Sequence, residues 1–217
     1  MTRLYVALIA LTVVTGMVDA ASLLGMGHIF AANMTGNVVF LGFALAGAPG
    51  VSIARCATAL AAFVGGAALG GRLMAVPPTG RTGRIVLAWT AEAILLAGAA
   101  LLAFRASGEP VAPLTVLALA AIAMGIRNAG VRALGIADIT TTVLTLTLTG
   151  LSADSRLAGG DSPRWQRRTA SVVAMVAGAA LGTLLLRRGL ALTLLVSALV
   201  VGMAALSLGF ARDQRSV

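Results

Sequence analysis

Apolar residues recur along the chain in long stretches: Leu4 to Leu24, Ala54 to Val76, Ile85 to Phe104, Pro113 to Ile126, Ala170 to Leu186 and Leu190 to Phe210. A helix rises about 1.5 Å per residue, so most of these are long enough to cross a hydrocarbon layer of about 30 Å. Backbone in lipid must satisfy its hydrogen bonds within its own segment or within a closed barrel. The pattern therefore predicts an all-α, polytopic integral membrane protein, a single membrane domain over residues 1–217. Two shorter apolar runs, Val38 to Ala48 and Val143 to Ala153, each follow a polar break. Asn33, Thr35 and Asn37 form the first break; Asp138, Thr140, Thr141 and Thr142 form the second. As helices these runs would reach only about 16 Å, half the distance a span needs. "TTTVLTLTLTG", Thr140 to Gly150, alternates as a strand would, but a lone strand in lipid leaves its edges unpaired. A helix with Thr142, Thr145 and Thr149 on one stripe is expected instead.

The two breaks belong to a longer internal similarity. "RCATALAAFVGGAALG" from Arg55 aligns without gaps on "RRTASVVAMVAGAALG" from Arg167, sharing Gly66/Gly178, Leu69/Leu181 and Gly70/Gly182. Ala32 to Val38 aligns with Ala137 to Val143, Gly16 and Asp19 match Gly125 and Asn128, and Gly98 and Leu102 match Gly202 and Leu206. Each half, 1–106 and 107–217, thus reads as long helix, polar break with short run, GxxxG helix, last helix. Gly66-x-x-x-Gly70 and Gly178-x-x-x-Gly182 permit close helix approach, and their recurrence points to packing between repeats or between protomers. The first segment, with Arg3, an apolar run and small residues near Ala20, could pass for a secretory signal. Its counterpart deep in the chain argues that it is a span.

Arginine placement bears on whether the short runs cross. The sixteen basic residues are all Arg. Eight spans, in two parallel four-helix repeats, divide them about nine to seven, which is no topological signal. Six spans with re-entrant short helices put Arg3, Arg72, Arg81, Arg84, Arg127, Arg132, Arg156, Arg164, Arg167, Arg168, Arg212 and Arg215 inside, leaving Arg55, Arg105, Arg187 and Arg188 outside. Twelve against four obeys the positive-inside rule, with both termini cytoplasmic. Three spans per half then require the halves to lie in opposite orientation, the inverted-repeat plan of many transporters. The polar starts of the short helices would meet near the midplane.

Composition narrows the chemistry. The chain is 59% hydrophobic and 11% charged, against about 25% charged in soluble domains. Its net charge of +9 gathers at segment ends without interleaved aromatics, the distribution of topology signals and headgroup contacts rather than nucleic-acid binding. The single Cys56 excludes an intrachain disulfide framework and reads as a small packed hydrophobe. No P-loop, paired metal-ligand cluster or nucleophilic triad is recognisable, so neither an enzyme nor a cofactor or metal site is expected.

The remaining polar residues are candidates for a site. Asn33, Thr35, Asn37, Asp138, Thr140, Thr141 and Thr142 either cap broken helices or line a path at a positive helix end. Asp19, about 22 Å along its helix from Leu4, lies within the hydrocarbon and expects a partner; Arg127, beside Asn128 in the matching helix, is the candidate. Glu92, two turns into its span with Trp89 one turn away, reads as interfacial, and Trp89 and Trp165 read as interfacial anchors. His28 reads as a hydrogen-bonded connector.

"GMVDAASLLGMGHIFAANMTGNVVFLGFALAG" and "GIRNAGVRALGIADITTTVLTLTLTGLSAD" resemble the two signature stretches of the YoaK-like bacterial membrane proteins, a family built on a domain of unknown function. The resemblance runs from about Leu4 to Phe210 and implies a multi-pass protein of the bacterial cytoplasmic membrane with six spans. It implies no substrate. The expectation is a small-solute or ion permease or channel with a midplane site drawn from Asp19, Asn33, Thr35, Asn37, Arg127, Asn128, Asp138 and Thr140 to Thr142. The competing expectation is a non-transporting scaffold, whose GxxxG faces recruit partners or further copies; a membrane-embedded enzyme ranks third.

Overall fold

The computed structural model describes residues 2–75, 80–108, 112–135 and 144–213. The chain forms α1 (Thr2–Gly25), α2 (Met34–Leu45), α3 (Ile53–Ala75), α4 (Arg81–Arg105), α5 (Leu114–Leu134), α6 (Leu144–Ala153), α7 (Trp165–Leu186) and α8 (Leu190–Asp213), with a 3-10 turn at Arg156–Ala158. Among the described residues there is no strand. Six helices, all but α2 and α6, are long and apolar enough to cross a membrane. Their outer faces carry apolar side chains such as Val64, Leu69, Val176 and Leu184, as a protein solvated by lipid requires.

Three helices extend by more than a turn beyond the apolar run that announces them. α4 starts at Arg81 rather than Ile85, α5 continues past Ile126 to Leu134, and α7 starts at Trp165 rather than Ala170. In each case the added turn contains Arg, whose long side chain can reach a partner or the surface while the backbone stays helical. Gly135, in the left-handed region at φ 61°, ends α5.

α1 and α5 are the innermost helices. α1 packs along α7 and α8, α5 along α3 and α4, and the α4–α8 pair joins the two groups. The GxxxG glycines make these contacts close. A Cβ on Gly70 would lie 2.9 Å from the Ile126 Cα, and one on Gly182 would lie 2.6 Å from the Met17 Cα. Gly66 and Gly178 sit on the carbonyls of Ile122 and Val13 in the same way. Side chains are excluded at these points, so backbone meets backbone.

The helix ends fix the course of the chain. Arg55, at the start of α3, donates from Nη1 to the Met26 carbonyl just after α1 (2.8 Å) and to the Ala112 carbonyl just before α5 (3.0 Å). The end of α1 and the starts of α3 and α5 therefore share one face of the bundle, and α2 leaves and returns on that face. At the opposite face, Arg81 at the start of α4 bonds the Leu134 carbonyl at the end of α5. Arg167 near the start of α7 lies over the Tyr5 ring, 5.8 Å from its centroid, near the start of α1. α5 ends and α7 begins on this second face, so the connection that carries α6 also returns to the face it left.

Candidate functional site

Four polar positions on α1 share one stripe: the Leu11 carbonyl, Thr15, Asp19 and Ser22, spaced i, i+4, i+8 and i+11. At the first-face end of this stripe the chain turns inward. His28 adopts a left-handed φ of 61°, and the segment from Phe30 descends beside α1. Asp19 Oδ1 accepts the Ala32 N–H at 2.9 Å, and Ser22 Oγ accepts the Ala31 N–H at 3.0 Å. These bonds hold the start of α2 at the level of Asp19, about 9 Å inward from the end of α1. α2 then runs outward against α3.

The first polar break builds this turn. Asn33 caps α2 by accepting the Gly36 N–H at 3.4 Å. Asn37, fully buried, accepts the Phe30 N–H (2.9 Å) and donates to the Phe30 carbonyl (2.7 Å), supplying the two bonds a neighbouring strand would have supplied. Thr35 is exposed. The second break, with Asp138, Thr140, Thr141 and Thr142, lies outside the described residues. Of the expected threonine stripe, Thr145 and Thr149 are exposed and Thr147 is the buried member of α6.

The other end of the α1 stripe holds an ion pair that differs from expectation. Arg127 pairs with Glu92 rather than Asp19. Arg127 Nη2 donates to Glu92 Oε1, while Nη1 donates to the Leu11 carbonyl at 2.7 Å and to Thr15 Oγ1 at 2.8 Å. Thr15 in turn donates to the Leu11 carbonyl at 3.0 Å. Both charged side chains have 0% exposure. Asp19 is one turn away on α1, within electrostatic reach of Arg127 but not bonded to it. Asn128 Nδ2 donates to the Met124 carbonyl at 2.8 Å, along its own helix.

Glu92 and Trp89 are accordingly not interfacial: both are fully buried. Because α4 begins at Arg81, Glu92 falls at its middle, and Trp89 lies one turn away on the same face. Trp165 is half exposed, as an interfacial anchor would be. Arg127, among the inside arginines by sequence, is buried within the bundle. Among the described residues, ten arginines then remain against four, and the asymmetry persists. Among the described residues, three buried side-chain polar atoms have no hydrogen-bond partner, and all belong to this cluster: Trp89 Nε1, Glu92 Oε2 and Arg127 Nε. Cys56, 0% exposed, is the packed thiol expected.

The comparisons with known proteins add family and setting. Residues 7–207 match the family described as "Protein of unknown function (DUF1275)". A 145-residue stretch is 37% identical to "UPF0700 transmembrane protein YoaK" of Bacillus subtilis (strain 168), covering 66% of this chain and 64% of that protein. The chain thus matches a little under two thirds of the relative's length. No solved structure matches.

Proposed function

The chain belongs to the DUF1275 family, and from that premise we propose that it is a permease for a small solute in the bacterial cytoplasmic membrane, with both termini on the arginine-rich side. The carrying observation is the α1 stripe. It links the tip of a short helix that enters from one face, at Asp19 and Ala32, to a charged cluster inside the bundle, at Thr15 and Arg127. Irregular backbone and ionisable groups at membrane depth are tolerated where they are buried in protein or border a solute path.

The path would run between two halves of opposite orientation. Packing supports that reading: α1 lies on α7 as α5 lies on α3, α1 on α8 as α5 on α4, and α2 on α3 as α6 on α7. The buried shares agree as well, at 67% and 61% for α1 and α5, 22% for both α3 and α7, and 39% for both α4 and α8. Exchanging the halves thus returns the same set of neighbours. One observation favours the scaffold reading: Asn33 and Asn37 spend their polar groups on local backbone, so the first break needs no solute to satisfy it.

Flux decides between them. Purified protein in liposomes should take up a member of a panel of cations, anions and small neutral solutes, and Asp19→Asn or Arg127→Met should abolish that uptake. Folded protein that passes no solute class would overturn the permease. In a Cys56→Ser background, single cysteines at His28 and Ala48 should label from one side of the membrane only, and cysteines at Gly80 and Ser162 only from the other. Labelling of His28 and Ala48 from opposite sides would make α2 a crossing and remove the inverted plan.

A further inference from the structure

The central cluster is incompletely bonded in a way that specifies its complement. Arg127 Nε–H and Trp89 Nε1–H are donors without acceptors, and Glu92 Oε2 is an acceptor without a donor. An arginine offers Nε–H and one Nη–H along a single edge, the fork that takes a carboxylate through two parallel bonds. Here Glu92 fills half of that fork, through Nη2 alone. Closing it with Oε2 on Nε would satisfy those two atoms and still leave the indole N–H of Trp89 without an acceptor. A ligand that supplies acceptors to both donors, together with a hydrogen for Oε2, satisfies all three.

From this we infer that the Arg127–Glu92–Trp89 cluster is a binding site for a small monovalent anion taken up together with one proton. The inference rests on the permease reading above for its transport consequence, but not for binding. Charge balance links the two ligands. Glu92 and Arg127 together are neutral, and an anion added alone would leave a net negative charge in the bundle interior, where an uncompensated charge is costly. A proton bound at Glu92 Oε2 converts the carboxylate to a neutral acid. The anion then replaces Glu92 as the counter-ion of Arg127, accepting from the Arg127 fork and from Trp89. The site is electrically neutral before and after, and the arginine keeps its proton throughout.

Two carboxyls lie near Arg127: Asp19 is engaged by the Ala32 N–H, whereas Glu92 pairs with Arg127 and keeps Oε2 open for the proton. From α5 it faces Arg127, and from α1 Arg127 brings in Thr15, with Asp19 one turn farther along the helix. α8 contributes the neutral Thr193 and Ser197 as its buried polar residues. In α3 the arginines lie toward the ends, Arg55 being tied to Met26 and Ala112.

The chain has two tryptophans, so Trp165→Phe leaves Trp89 as the sole indole reporter inside the site itself. Formate and chloride titrations in detergent should change Trp89 fluorescence saturably. With one proton bound per anion, the apparent Kd should rise tenfold per pH unit wherever Glu92 is ionised in the free protein. Glu92→Gln, which mimics the protonated acid, should keep anion binding and flatten the pH dependence to less than twofold. The double variant Glu92→Gln/Arg127→Met, which carries no charge in the cluster and so avoids a stranded one, should fold and lose the response to both anions.

Absence of a saturable response in the parent and in Glu92→Gln overturns the inference. So does a pH slope that survives Glu92→Gln, a pH-independent response in the parent, or anion binding by the folded double variant. Anion binding with the stated slope but no flux of any solute would overturn the permease and leave the site standing. Flux of other solutes with no anion response would do the reverse.

Discussion

Glu92 and Arg127 lie on different helices, α4 and α5, and both are wholly withdrawn from solvent, so the stability of the bundle should respond to them as a unit. Removing one partner of a buried ion pair leaves the other charge uncompensated, at a cost of about 3–5 kcal/mol. At about 1.4 kcal/mol per factor of ten, Glu92→Gln or Arg127→Met alone should shift the unfolding equilibrium by roughly two to three and a half orders of magnitude. Replacing both removes two desolvated charges together, and such exchanges are often neutral or stabilising. The double variant should therefore unfold within about 1 kcal/mol of the parent, giving a coupling energy close in magnitude to the sum of the two single-variant costs. Cys56 provides the assay. It is the chain's one cysteine and is fully buried, so a thiol-reactive fluorophore reports its release as SDS is titrated into mixed micelles. The titrations should be made without added anion in chloride-free buffer. Additive single effects, or single variants that cost less than about 1 kcal/mol, would show that the two charges do not meet in a water-poor interior and would refute the reasoning.

Neighbouring glycines in α3 should respond with opposite signs. A Cβ on Gly66 falls on Ile122 backbone, so Gly66→Ala should destabilise by about 1–3 kcal/mol, while Gly65 has nothing within 4 Å and Gly65→Ala should stabilise by about 0.5–1 kcal/mol in the same SDS titration. Within the first polar break, Asn37→Leu strands both backbone groups of Phe30 and should cost about 2–4 kcal/mol. Asn33→Ala should cost about 1 kcal/mol through the lost cap, and Thr35→Ala at the exposed position less than about 0.5 kcal/mol. Equal effects at positions 33, 35 and 37 would contradict the division of labour drawn here.

The six long helices are legible in the sequence because lipid removes the ambiguity of a soluble core: an apolar run of sufficient length has few alternatives to a span. Gly66, Gly70, Gly178 and Gly182 were legible through their repetition at matching places. The partner of Arg127 was not. The apolar run of α4 opens at Ile85, which puts Glu92 two turns from an apparent end and next to a tryptophan, the arrangement of an interfacial residue. The helix begins a turn earlier, because Arg81 and Arg84 reach the carbonyls of Leu134 and Met74, and that turn moves Glu92 to mid-helix. Asp19, the apparent partner, was drawn off by backbone: the N–H of Ala32, exposed where the chain breaks ahead of α2, competes for its carboxylate. Hydropathy shows where a helix can lie in lipid, but not which of its polar residues backbone donors will claim first.

The crossed embrace of α1 with α7 and of α5 with α3 bears on biosynthesis. Gly16 is threaded into the membrane early, but the backbone of Met175 and Ala179 that it packs against emerges from the ribosome only near the end of translation. Until then the first half sits in the bilayer with its closest-fitting surface bare. Neither half should mature alone, whereas the two expressed as separate polypeptides should find each other and reassemble. A truncation anywhere before α7 would leave an orphaned fragment for the membrane's proteolytic surveillance rather than a smaller working protein.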